Sequence, residues 1–316
     1  MDGILIIDKP VGLTSHDVVA RLRRILKTKK IGHTGTLDPF ATGVLVMLVG
    51  KATRLAQFLD KDEKEYVAVV RFGFETDTGD RTGTSRESRV ASGKSEEVSI
   101  ENIENVLQQF RGEIEQVPPM YSAKKIDGKK LYELARKGIE VERKAVAVTI
   151  TKLEIIEPHR RGDAEKTATR GPNSDSPLAT RDSHLPTWDM GLRVACSAGT
   201  YIRTLAEDIA RAAGSEAHLA ELRRTRAGRF DLSRAVTLEE LENMENAADI
   251  LVPMNEAVSH LPEVNMTGEQ LAKIKNGVKI PATMDADIQT VRLTAGDELV
   301  AIGSYQEGAI RPRLVF

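Results

Sequence analysis

Between Gly32 and Gly43 the chain reads Gly-His-Thr-Gly-Thr-Leu-Asp-Pro-Phe-Ala-Thr-Gly, and it then runs straight into Val44-Leu45-Val46-Met47-Leu48-Val49. Glycine and proline at this density break helix and strand, so the segment is expected to form a loop. The apolar run after it suits a strand buried on both faces, although a short buried helix has the same pattern. Asp38 is the one carboxylate of the loop. A polar turn anchored beside a rigid core element is where catalytic groups are commonly carried. The same residues also fit a plain turn in which Asp38 accepts hydrogen bonds from nearby backbone amides. The local sequence leaves both readings open.

With 316 residues and 41% hydrophobic content, the chain can build a stable core in one large domain plus a small one. No apolar run approaches the ~20 residues that span a membrane. Met1-Asp2-Gly3-Ile4 carries no basic stretch ahead of its short apolar one, so no signal peptide is expected. Cys196 is the single cysteine. That excludes disulfides within the chain and thiolate zinc sites, and it points to a reducing, cytoplasmic compartment. The six histidines form no H-x-x-x-H or H-x-x-E-H pair, so no metal site is expected.

The formal net charge of -2 gives no overall pull toward nucleic acid, but it hides three basic clusters: Arg21 to Lys30, Lys124 to Lys144, and Arg223 to Arg229. Any single cluster fits a solvated helix face. Three together, two of them beside Gly- or Pro-marked loops, favour an extended polyanion such as RNA. Aromatic residues are only 4%, so no multi-base stacking platform is visible.

The elements read as an α+β protein with a mixed or antiparallel sheet. Ile4 to Ile7 reads as a strand. Thr14-x-x-Asp17 resembles a capping box ahead of a helix with Val18, Leu22, Ile25 and Leu26 inward. Tyr66 to Phe72 and Val146 to Ile156 alternate as strands. Ser99 caps a helix with Ile103, Val106 and Leu107 inward, and Gly112 stands where its C-terminus would be. A turn at Asp127-Gly128 leads to a short helix ending near Gly138. Residues 157–189 are polar and without aliphatic periodicity, and are expected to form a surface insertion. Leu192 to Cys196 reads as a strand, a turn through Gly199 enters a helix with Ile202, Leu205, Ala206 and Ile209 inward, and a further helix is expected from His218. Thr237-x-x-Glu240 caps another. After about Val252 short strands separated by turns suggest a small β-rich module. The expected division is residues 1–250 and 251–316.

Lys9-Pro10-x-Gly12-x-Thr14-Ser15, followed by the Gly32–Gly43 segment, resembles the opening of the bacterial tRNA pseudouridine-55 synthase family. Further matches follow in chain order: Lys64-Glu65-Tyr66, Thr76-Asp77-Thr78-Gly79-Asp80, Pro118-Pro119-x-Tyr121-Ser122-Ala123-x-Lys125, Gly199-Thr200-Tyr201-Ile202-Arg203 and Leu222-Arg223-Arg224. The C-terminal module fits the family's PUA-like RNA-binding domain.

The resemblance implies isomerisation of uridine to pseudouridine in the TΨC loop of tRNA, with no cofactor, no membrane and no obligatory protein partner. It assigns Asp38 as the nucleophile, toward either ribose C1′ or base C6. An aspartate is ionised at neutral pH unless burial opposes it, so a burying pocket wants a fixed cation. The resemblance supplies Arg203 for that, and Tyr66 to stack on the base and help remove the C5 proton. It gives His33, Asp80, Tyr201 and Leu222 contacts to the RNA or to the flipped base, and Lys9 and Pro10 a buttressing part. Without the resemblance, Arg203 is a surface arginine whose charge opposes a helix dipole, Tyr66 is a core aromatic, and Asp80 is a turn residue. A tRNA-binding or tRNA-folding chaperone without catalysis keeps the basic clusters and needs neither Asp38 nor Tyr66. An RNA-guided synthase subunit is a narrower alternative.

Overall fold

The computed structural model describes residues 1–86, 99–126, 128–157, 187–284 and 288–316. The chain folds into two compact units, one made of residues 1–39, 43–62 and 227–316, the other of 40–42 and 63–226.

The first unit opens with β1 (Gly3–Lys9), α1 (Ser15–Ile25), β2 (Ile31–Thr34), β3 (Thr42–Val49) and α2 (Ala56–Leu59). Both β1 and β2 pair antiparallel with β3, with Gly3 opposite Val49, Lys9 opposite Gly43, and Thr34 opposite Val46. From Gly43 to Val49 every residue of β3 is buried, as the unbroken apolar run requires. The capping box at the start of α1 is formed in both directions between Thr14 and Asp17. Gly32, His33 and Thr34 lie in β2, so the loop is shorter than expected. Their backbone groups are paired to β3, which outweighs the weak strand propensity of Gly32.

The second unit continues with β4 (Lys64–Phe72), α3 (Ile100–Leu107), β5 (Gly112–Gln116), the hairpin β6 (Lys125–Ile126) and β7 (Lys129–Lys130), α4 (Leu131–Ala135), β8 (Val146–Glu157), β9 (Trp188–Cys196), α5 (Ile202–Ala212) and β10 (Ala217–Ala227). Within it the strand order is β10-β4-β9-β8-β5. β4 pairs antiparallel with β9, placing Tyr66 opposite Val194. Gly112 opens β5 at φ +89, so it reverses the chain into a strand instead of capping α3. The expected helix from His218 is the strand β10. Its sequence spaces Leu219 and Leu222 as a helix would, yet Ala217 to Ala220, Leu222, Arg224 and Ala227 are buried, a distribution that a strand lying inside a sheet produces. The expected insertion at 157–189 is bounded by structure: Glu157 closes β8, and Trp188 and Asp189 open β9. Residues 158–186 lie outside the described residues, as does Asp127 of the expected turn.

The first unit resumes with β11 (Phe230–Asp231), α6 (Leu238–Glu242), α7 (Met254–Ala257), β12 (Glu263–Asn265), α8 (Gly268–Lys275), β13 (Ile280–Pro281), β14 (Ile288–Ala295), β15 (Glu298–Gln306) and β16 (Ala309–Val315). The C-terminal five-stranded sheet has the order β12-β14-β15-β16-β13, with β12 parallel to β14 and the other pairs antiparallel. α8, absent from the strand-only reading of this region, carries a capping box at Thr267 and Gln270. Among the described residues no helix is long and apolar enough to cross a membrane.

Candidate active site

In the first unit, the loop that carries Asp38 is tied down on both sides of it. Gly35, at φ +65, donates its amide to Asp60 Oδ1 at 3.2 Å. The Leu37 amide donates to Ser15 Oγ at 3.0 Å, and that hydroxyl lies 3.2 Å from the Leu37 carbonyl. The Pro39 carbonyl accepts from the Gly12 amide at 2.8 Å and from Lys9 Nζ at 3.4 Å. Lys9 is fully buried. Its ammonium also donates to the carbonyls of Leu13 at 2.7 Å and Pro10 at 2.9 Å, so the Lys-Pro-x-Gly turn and the Asp-Pro turn share one buried cation. The half-buried Asp38 thus stands between two backbone positions held by buried partners, the preorganisation a nucleophile needs. His33, on β2, meets the ring of His16 edge-on with centroids 5.8 Å apart.

In the second unit, Tyr66 lies on the inward face of β4 with Lys64, Ala68, Val70 and Phe72. Leu222 is buried on β10. Arg203, in the first turn of α5, is not a surface arginine; only 5% of it is exposed. Its Nη1 donates to the Thr78 carbonyl and its Nη2 to the Tyr121 carbonyl, each at 2.7 Å. Nη1 stands 3.7 Å from Asp80 Oδ2. The structure therefore brings together two of the expected site residues, Arg203 and Asp80, as a buried ion pair. The Asp80 carboxylate is held in turn by the Thr82 amide at 2.8 Å and the Thr78 hydroxyl at 3.0 Å. Asp80 is a turn residue and an ion-pair partner at once. The turn is latched to β10 by the Arg81 and Leu219 amides, which donate to Leu219 and Gly79 carbonyls at 3.0 Å each.

Tyr201 precedes α5 as its N-cap position and makes no side-chain cap. The buried Gln116 side chain replaces one: it accepts from the Tyr201 amide at 2.7 Å and donates to the Tyr201 carbonyl at 3.0 Å. Gln116 was not among the expected site residues, and a glutamine at the end of a strand carries no local signal of this part. Glu75, Glu207 and Arg211 around the Thr76–Asp80 turn were likewise unanticipated. Burial pushes the Cys196 thiol up to about 11, so it is not a nucleophile near neutral pH. Burial also lowers His218, whose Nδ1 lies 3.0 Å from the Phe74 carbonyl.

The basic clusters divide. Arg21, Arg23, Arg24, Lys29 and Lys30 are exposed, as are Lys125, Lys129, Arg136, Lys137 and Lys144. The third cluster is largely consumed by the fold, contrary to its reading as an RNA-facing helix. Arg224 is buried, Arg226 pairs with Glu63 at 2.6 Å, and Arg229 donates to the Glu256 carbonyl at 2.6 Å.

Residues 23–202 match the family profile described as TruB family pseudouridylate synthase (N terminal domain), and residues 203–259 match the tRNA pseudouridylate synthase B C-terminal domain. The chain is similar to the tRNA pseudouridine synthase B of Azoarcus sp. (strain BH72), at 42% identity over 99% of this chain and 94% of the relative. It is 40% identical to that of Geobacillus thermodenitrificans (strain NG80-2) over 100% of both chains, and 38% identical to that of Bacillus subtilis (strain 168) over 95% and 88%. Among solved structures, a Cbf5-Nop10-Gar1 complex matches with a TM-score of 0.68 and 28% identity, over 99% of this chain and 84% of that one. An H/ACA RNP bound to a substrate RNA containing 2'-deoxyuridine matches with 0.67 and 27%, over the same shares.

Proposed function

This chain belongs to the TruB family of pseudouridylate synthases and isomerises uridine to pseudouridine in tRNA; we propose that its target is uridine 55 of the TΨC loop, with Asp38 as the nucleophile. In this reading Asp38 attacks the ribose C1′ or the base C6 and the C1′–N1 bond breaks. The base then turns, C5 bonds to C1′, the bond between Asp38 and carbon breaks to restore the carboxylate, and the proton on C5 leaves as N1 gains one. Atoms and electrons balance without a redox partner. Tyr66 stacks on the base and helps remove the C5 proton, and Arg203 supplies the site's fixed positive charge. His33 occupies the stack vacated by the flipped uridine, whose extrusion costs a few kcal/mol. Asp80, Tyr201 and Leu222 hold the flipped base.

Exposed cations of α1 and of the Lys124 to Lys144 segment meet the tRNA backbone, and residues 251–316 add a PUA-like RNA contact. The enzyme acts as a single chain in the cytoplasm. Two observations support this: a lone buried cysteine, and whole-length likeness to relatives named as the tRNA enzyme, against 27–28% identity to subunits of multi-protein assemblies.

The observation that carries the assignment is the Asp38 loop, pinned at Leu37 and Pro39 by Ser15, Gly12 and Lys9. Asp38→Asn is expected to lower tritium release from tRNA labelled at uridine C5 by at least about 1,000-fold, while melting temperature and tRNA affinity hold. Normal release from Asp38→Asn overturns the nucleophile assignment. A chain that binds tRNA without catalysis releases no tritium even unmutated.

A further inference from the structure

The second unit holds a chain of charges that runs from Arg203 and Asp80 to Glu207, Arg211 and Glu75, the last three of which the reaction as proposed leaves unused. α5 carries Arg203, Glu207 and Arg211 at a spacing of four residues, so the three lie along one helix face. That face follows the segment from Glu75 to Asp80. At one end Arg203 holds the Thr78 carbonyl at 2.7 Å and faces Asp80 at 3.7 Å. In the middle, a Cβ added to Gly79 would stand 2.7 Å from Glu207 Oε1 and 3.5 Å from Arg203 Cβ. The Glu207 carboxylate therefore packs directly on the Gly79 backbone, which is itself at φ +73. At the other end Arg211 Nε donates to Glu75 Oε1 at 2.7 Å. The Glu75 side chain is 4% exposed and has Arg86 Nη1 at 3.9 Å from its second oxygen. Arg211 also stands 3.3 Å from both Glu207 and Asp208.

The Glu75 carboxylate is buried while Arg211 is 43% exposed. Such a pair is a poor way to gain stability, because solvent screens one partner and desolvation penalises the other. Here burial raises the carboxyl groups of Glu207 and Asp208 above their ordinary range despite Arg211. What such pairs do well is select one geometry. The β10 latch holds one side of the turn, and attachment to α5 at Glu75, Gly79 and Thr78 fixes its other side against the helix that carries Arg203. We propose that Arg211 and Glu75, with Glu207 seated on Gly79, are positioning residues that set where the Arg203 guanidinium and the Asp80 carboxylate stand during uridine isomerisation. The inference rests on the reading of Arg203 as the site's cation.

The test compares Arg211→Met, Arg211→Lys, Glu75→Gln and the Arg211→Met/Glu75→Gln double variant in single-turnover tritium release, with tRNA affinity and melting temperature measured on the same samples. A displacement of about 1 Å can cost up to about 100-fold in rate. Arg211→Met is accordingly expected to be about 10- to 100-fold slower with unchanged tRNA affinity, Arg211→Lys to recover part of that loss, and the double variant to be no slower than the slower single one, since both act through one pair. An unchanged single-turnover rate in Arg211→Met with a lowered melting temperature assigns the pair to stability alone and overturns the inference. So do single losses that multiply in the double variant. Glu75→Gln, which keeps the side-chain shape, provides the same reading if Arg211→Met does not fold. Arg203→Met separates the two levels. If it keeps the full rate, the site reading fails and the inference with it. If it is inactive while Arg211→Met is unchanged, the positioning inference alone fails.

Discussion

A lysine with no exposed surface has to find partners for its ammonium or titrate, and Lys9 finds three carbonyls on two turns. Lys9→Met keeps the length of the stem and removes every donor, leaving the Leu13 and Pro10 carbonyls without this partner. A hydrogen bond to a charged group contributes about 1.5–3 kcal/mol, so the chemical denaturation midpoint is expected to fall by that equivalent. Isomerisation is expected to slow as well, because the Pro39 carbonyl adjoins Asp38. An unchanged midpoint would show that the ammonium is not holding the loop. Lys9 and Asp38 were both legible as members of motifs. The burial of Lys9 was not, because Lys-Pro-x-Gly spells only a turn, and the second turn it grips begins thirty residues later.

α5 and β10 show opposite degrees of legibility. The apolar positions of α5, the turn at Gly199 and the stop at Gly214 are all visible in sequence, and the helix runs Ile202–Ala212 as those signals direct. β10 misleads because Leu219 and Leu222 are three apart and its arginines resemble a solvated face, while burial on both sides of the sheet erases the alternation that marks a strand. On α5, the folded-state carboxyl of Glu207 is raised above its ordinary value, with burial as the largest cause. A raised carboxyl contributes stability that is fully present below the unfolded value and is lost as pH rises through the folded one. Glu207→Gln removes that loss while keeping the shape packed on Gly79. The variant is expected to be more stable than the parent at neutral pH, with the difference shrinking as the medium is acidified below the ordinary glutamate range. Thermal melts at several pH values check this, and a gain that grows toward acid would contradict it.

At the scale of the whole molecule, the C-terminal strands belong to two cores. Val291, Leu293, Val300, Ala301, Tyr305 and Ile310 pack with Ile274 of α8 and Ile280. Leu299, Ile302 and Leu314 instead pack with Ile4, Ile6, Val44 and Val46 of the N-terminal strands. Ile302 is fully buried. Ile302→Ala is expected to lower stability by about 2–5 kcal/mol, and to weaken hydrogen-exchange protection in β1 as well as in β15. Unaltered protection in β1 would mean that the shared core does not couple these strands.

Sequence alone determined what is local or patterned: capping boxes at Thr14 and Thr237, the buried run of β3, the alternation of β4, the glycine turns, and the ordered motifs that place the chain in its family. Tertiary structure alone decided which charges are buried and what meets them. Gln116 caps Tyr201 from 85 residues away, and Arg211 finds Glu75 across 136. Helix caps and strand alternation recur within a few residues and leave a period to read. A hydrogen bond between distant side chains leaves none, because it depends on where the sheet and α5 bring the two residues.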